Sequence, residues 1–219
     1  MATISIASAK GGCGKTTLAI LLGAELALDG YKVALLDCDL NQHASAFGAK
    51  SCIPDLTILG DVTETNVLSV LKKAEAETDI VLIDLPGGSS TLTLKALQRS
   101  HLVLVPTQAS LMDVRDATKT LAQINDAEEL ARTPIARAMV WTRFASGFES
   151  RSARHVRESM EGQGTEILKS AMMERAVFRE LHITGQVPRQ ADPNSSAALI
   201  ISTIAGEVLT RLQALADAS

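Results

Sequence analysis

The sequence predicts an α/β fold, a mostly parallel twisted sheet with helices on both faces. Three observations carry this expectation. Short apolar runs of strand length alternate along the chain with longer segments of helical period, the pattern of strands sandwiched between two helical layers. A glycine-rich turn joins the first apolar run to the first helical segment. Aspartates end the second and third apolar runs, at the carboxyl edge where open α/β sheets hold ligands.

The elements follow in order. Residues 3–8 form the first expected strand, and residues 16–29 the first helix, which stops at Gly30, where a left-handed cap costs glycine little. The second strand spans 32–37. From about 47 to 65 the pattern is irregular and reads as loop with a short helix. Strands are expected again at 80–84, 102–106, 136–142 and 165–169, with helices in the intervals and a long periodic helix at 111–130. Asp192-Pro193-Asn194-Ser195 reads as the entry to a last helix running to about residue 216. With no internal repeat and no low-complexity linker, one domain covering 1–219 is expected.

Composition narrows the class. A chain of 219 residues, 46% hydrophobic and 3% aromatic, can bury one large aliphatic core. The net charge of -4 and pI of about 5.6 give no global basic field, so any contact with nucleic acid must come from a local patch. Cys13, Cys38 and Cys52 show no C-x-x-C spacing, and their odd number argues against a disulfide framework and for a reducing, cytoplasmic setting. No signal sequence and no uninterrupted run of about 18 apolar residues occurs, so secretion and membrane spanning are not expected.

The glycine-rich turn has a specific chemistry. In SIASAKGGCGKTTLA, Gly14-Lys15-Thr16 ends a phosphate-binding loop that follows the first strand and opens the first helix. Backbone N–H groups of a small-residue loop converge on phosphate oxygens, Lys15 reaches the terminal phosphates, and the Thr16 hydroxyl can ligate magnesium. The expected architecture is thus that of a P-loop NTPase. Ala9 stands where the pattern G-x-x-x-x-G-K-[ST] has its first glycine, and Lys10 is an additional cation beside the loop. Its plain reading is a solvated lysine. Asp37, Asp39 and Asp84 reach the same edge, where magnesium, which takes oxygen ligands and keeps several waters, can use carboxylates directly or through water. Asp84 precedes Pro86-Gly87-Gly88, a loop able to respond to a terminal phosphate; otherwise it is a strand-end carboxylate bonding a loop amide. Trp141 lies on an apolar strand and reads as core before base-stacking platform.

These motifs resemble the ParA/MinD family of deviant Walker ATPases, and within it the short ParA-type DNA partition proteins and their VirC-type relatives. The marker is KGGCGKTT at residues 10–17. Supporting matches are LLDCD at 35–39, VLIDLPGGSS at 81–90, LVLVPTQASLMDV at 102–114 and ADPNSSAALIISTIAGEVL at 191–209. One departure is Asp37-Cys38-Asp39-Leu40-Asn41-Gln42, where the family often has D-x-D-P-Q.

The resemblance implies ATP and Mg2+ as ligands and an ATP-sandwich homodimer in which Lys10 of one subunit crosses to the phosphates held by the other. It implies ATP contacts from Lys10, Gly11, Gly12, Cys13, Gly14, Lys15, Thr16 and Thr17. Thr142, Arg143, Met173 and Glu174 would lie near adenine, although Arg143 also reads as a surface cation. Thr16, Asp37 and Asp84 would serve the metal, and Lys10, Lys15 and Asp39 the hydrolysis of ATP, with Asp39 positioning the attacking water. A second cation at the transferred phosphate acts as an arginine finger does. The family also implies binding to nonspecific DNA, a nucleoid-associated location and a ParB-type centromere-binding activator. The arginine-rich second half offers Arg151, Arg154 and Arg189 for DNA, against interleaved glutamates such as Glu158 and Glu174 that can neutralise a patch.

Rival classes lack their residues. A MinD-like membrane switch ends in a basic amphipathic helix, whereas GEVLTRLQALADAS has one arginine and no aromatic, so no membrane partner is expected. No cysteine after Cys52 is present to hold an iron–sulfur cluster, and Lys10 counts against a ligase of the dethiobiotin-synthetase kind. An adaptor that binds ATP without hydrolysing it stays open, as does the choice among partition, DNA transfer and positioning of a protein cargo.

Overall fold

A computed structural model describes residues 1–108, 110–144 and 151–218; Ala109 of the fourth motif lies outside them. The strands are β1 Ala2–Ile6, β2 Val33–Asp37, β3 Leu56–Leu59, β4 Ile80–Asp84, β5 Leu102–Thr107, β6 Ala136–Phe144 and β7 Glu166–Met173. The helices are α1 Lys15–Leu28, α2 His43–Gly48, α3 Val67–Glu77, α4 Thr91–Leu97, α5 Leu111–Ala131, α6 Arg151–Glu161, α7 Ala176–Thr184, α8 Pro188–Ala191 and α9 Ser196–Asp217.

The strands join in one sheet of order β3-β2-β4-β1-β5-β6-β7, and every described pairing is parallel. With β1 central, the chain winds first to one side through β2, β3 and β4, then to the other through β5, β6 and β7. The turn after β1 therefore sits where the winding reverses, the position at which such sheets bind ligands.

Alternation within each strand feeds two cores. Val33 and Leu35 of β2, with Leu82 of β4, face α1 and α9, where Leu18, Leu22, Ile201 and Ile204 are buried. Ala34 and Leu36, with Val81 and Ile83, face α3 to α6, where Leu71, Leu97, Ile124 and Val156 are buried. This two-sided burial explains why the strands read as continuous apolar runs. In α1 every residue from 18 to 27 is buried, because the helix is covered by the sheet on one side and by α2 and α9 on the other. By length and composition α9 would suffice to cross a membrane. In this fold its Ile201, Ile204 and Val208 belong to the core.

Two expectations are corrected. The segment 47–65, read as loop with a short helix, contains β3, an edge strand of four residues; the short helix precedes it at His43–Gly48. Turns at Asp55 and Asp61, with φ of 60° and 54°, bracket β3 and hide so short a run. The last strand reaches Met173 instead of residue 169, with bulges against β6 that break its alternation. Glu207 of α9 accepts the Lys169 and Ser170 backbone N–H groups at 2.8 and 2.9 Å, closing part of that outer edge.

Candidate nucleotide-binding site

The loop between β1 and α1 is shaped by two glycines. Gly12 and Gly14 have φ of 74° and 94°, a region that side chains disfavour, and Gly14 is the N-cap of α1. From below, the Thr142 hydroxyl at the end of β6 donates to Cys13 O at 2.7 Å. The fully buried Thr142 thus supports the loop from beneath, and Met172 Cε packs under Gly14.

The two lysines diverge. Lys15 is buried and folds back within the loop, donating to Lys10 O at 3.0 Å. Lys10 turns away: its Nζ donates to Asp113 Oδ1 at 2.9 Å, with Lys10 35% and Asp113 4% exposed. This bond to Asp113 raises the Lys10 pKa, burial opposing it. Asp113 lies in the first turn of α5, where its carboxylate also accepts the hydroxyl of the N-cap Ser110.

Asp37 and Asp84 are neighbours in register on β2 and β4, and both are fully buried. Their surroundings differ. Asp37 Oδ2 accepts the Ser45 amide and hydroxyl at 2.8 and 2.9 Å, and Oδ1 the Asp39 amide at 3.2 Å. Asp84, by contrast, has neither carboxylate oxygen in a hydrogen bond of good geometry. Burial first, and the charges of Asp37 and Asp39 with it, push its pKa up to about 7, against the opposing pull of the Thr16 hydroxyl and Lys15. A buried oxygen pair left open beside a threonine hydroxyl suits a hard cation, so the donors present fit Mg2+. Gly87, of the loop after β4, packs so close that a Cβ there would lie 3.3 Å from Gly11 N.

Lys10, Gly11, Gly12, Cys13, Gly14, Lys15, Thr16, Thr17, Asp37, Asp39 and Asp84 therefore belong to one edge of the sheet, around β1, β2 and β4. Arg143 is exposed with φ 49°, Met173 is half-buried, and Glu174 is exposed and pairs with Arg179 at 3.7 Å. Trp141 is buried in the second core, as its strand position predicts. The three DNA candidates are not brought together. Arg151 and Arg154 are exposed on α6, which packs on the second core, whereas Arg189 of α8 lies by the first and pairs with Glu25 of α1 and its C-cap Asp29 at 2.8 and 2.6 Å. Sequence reading missed Asp113 as partner of Lys10; its local signal is Ser110-x-x-Asp113, a serine cap with an acid three residues on.

The family model described as VirC1 protein matches residues 1–217. The chain belongs to the VirC1 protein family. It lies among the ParA/MinD-like partition and positioning ATPases: the protein ParA of Rhizobium radiobacter is 32% identical over 83% of this chain and 82% of its own length. The fold matches apo McdA of Cyanothece with a TM-score of 0.80 at 18% identity, over 95% of this chain and 99% of that one. It also matches MinD of Pyrococcus horikoshii, solved with Mg-ADP, with a TM-score of 0.75 at 22% identity over 94% and 95% of the two chains.

Proposed function

We propose that this VirC1-family chain is an ATP-dependent switch that pairs with a second copy around bound nucleotide, holds nonspecific DNA and hydrolyses ATP to ADP and phosphate, in the service of plasmid or chromosome partition. The observation that carries the reading is the divergence of the two lysines. Lys15 lies inside its own loop, while Lys10 is turned out to the rim, where it is paired with Asp113 and would leave that carboxylate to reach a facing subunit.

Thr16 and Asp84 would hold Mg2+, with Asp37 supporting the shell; the ion offsets phosphate charge when bound, as the Mg-ADP of the P. horikoshii relative suggests. The chain's own residues do the rest. Loop amides from Gly11 to Thr17 and the Lys15 ammonium bind the phosphates, and Asp39 orients the water that attacks the terminal phosphorus. Lys10 from the second copy stabilises the negative charge that develops there, so hydrolysis requires the pair. Thr142, Arg143, Met173 and Glu174 bound the base end, with Thr142 acting through Cys13. Arg151 and Arg154 are the DNA contacts, nucleoid association follows from them, and a ParB-type protein would stimulate turnover.

The match to the VirC1 family over residues 1–217 favours a second reading, an accessory ATPase for DNA transfer, in which the same switch serves a different cargo. Scattering in Mg2+ with a slowly hydrolysed ATP analogue tests the shared core. Wild type is expected to double in mass, Lys10→Ala to bind nucleotide and remain single, and Lys15→Ala to lose nucleotide; wild type staying single at micromolar concentration would overturn it.

A further inference from the structure

The loop carrying Asp39 is braced by the side chain of Gln42. Gln42 has φ 50° and ψ 41°, a left-handed conformation that suits glycine and strains glutamine. Its side-chain amide reaches in two directions. Nε2 donates to Asp39 O at 2.7 Å and to Asp37 O at 3.4 Å. Oε1 accepts the Asp61 N–H at 2.9 Å and lies 3.1 Å from Ser45 Oγ.

One residue thus ties the carboxyl end of β2 to the turn after β3 and to the first turn of α2. The pocket for it is cut by Gly60: a Cβ there would lie 2.6 Å from Gln42 Oε1 and 2.7 Å from Ser45 Oγ. Ser45 extends the network by giving its amide and hydroxyl to Asp37. Within the loop, Asp39 Oδ1 accepts Asn41 N and Nδ2, each at 2.9 Å. Leu40 between them is 97% exposed, so no packing of its own side chain holds the loop in place. Hydrogen bonds do, and Gln42 makes those that leave the loop for β3. A strained backbone retained where its side chain completes such a network points to a functional constraint.

We propose that Gln42 is a positioning residue: it fixes the Asp39 loop against β3 before nucleotide arrives, so that water is aligned on a preorganised carboxylate. The proposal rests on the ATPase reading of the site. Preorganisation matters because an ångström of misplacement can cost on the order of a hundredfold in rate.

The test uses full-length chain and two variants. Gln42→Gly removes the brace while relieving the left-handed strain, so the fold should survive; Gly60→Ala crowds the same side chain, and Ser45 Oγ with it, from the other side. Each is expected to leave ATP affinity within about twofold and lower kcat by about tenfold or more. The double variant should be no slower than Gly60→Ala alone, because Gly60→Ala already breaks the link that Gln42→Gly removes. Hydrogen exchange at the Asp61 amide should quicken in nucleotide-free Gln42→Gly. Wild-type kcat in both variants, losses that multiply in the double variant, or unchanged Asp61 exchange would each overturn the brace. Absence of turnover in wild type would instead reject the ATPase reading, and Asp61 exchange would then decide the brace alone.

Discussion

Lys10 Nζ and Asp113 Oδ1 lie 2.9 Å apart across 103 positions of sequence, joining the rim of the phosphate loop to the first turn of α5. In the single chain this pair holds the cation that the proposed dimer requires. Asp113→Asn should free it and raise the dimerisation constant in ATP and Mg2+ by about fivefold for each subunit's pair released, for a contact of about 1 kcal/mol. Sedimentation at several protein concentrations measures this, and a weaker dimer would show that Asp113 serves the paired state instead.

The arginines divide by their partners. Arg151→Glu and Arg154→Glu should weaken ATP-dependent DNA retention and flatten its salt dependence, with little change in melting. Arg189→Glu should do the reverse, because it sets a third carboxylate against Glu25, which is 2% exposed, and Asp29. A loss of several degrees in Tm with DNA retention intact is expected. Filter binding and thermal melts of all three variants separate the roles.

Acid sensitivity should arise at the contact of α2 with α7. The ring centroids of His43 and His182 are 5.9 Å apart, and Lys50 Nζ donates to His182 O at 2.6 Å. Burial foremost, then the charges of His43 and Lys50, lower the His182 pKa below the ordinary 6.5. Its folded pKa being the lower, the contribution is present above the unfolded value and is lost as pH falls through the folded one. Urea midpoints should therefore drop below about pH 6.5 in wild type and drop less in His182→Gln; parallel curves would place the sensitivity elsewhere.

Glu207 guards a sheet edge. Glu207→Ala strips the Lys169 and Ser170 amides of their acceptor. The expected cost is about 1–3 kcal/mol in urea melts, with concentration-dependent scattering as the edge finds other strands.

Legibility followed locality. The first strand, its loop and α1 could be read because glycine, lysine and threonine act within a few positions of one another, and β2 and β4 because burial on both faces makes them apolar up to their terminal aspartates. β3 escaped since three half-exposed residues and the exposed Thr57 take their strand identity from pairing with β2. The carboxylates Asp37 and Asp84 were legible as strand ends, but nothing local distinguishes the one bonded by Ser45 from the one left open. Thr142 was expected near adenine; its use of Cys13 O depends on a contact 129 positions away. Arg189 read as free charge for the same reason, its carboxylate partners lying 164 and 160 positions earlier.

The phosphate loop opens α1, the helix buried on every side, so it cannot relax without disturbing the centre of the molecule. Any ligand it grips adds its binding free energy to the persistence of the whole fold, about 2.7 kcal/mol when present at a hundred times its dissociation constant. A cell that runs short of nucleotide would on this account lose more than a signal: the chains themselves would become shorter-lived, and their abundance would track energy supply.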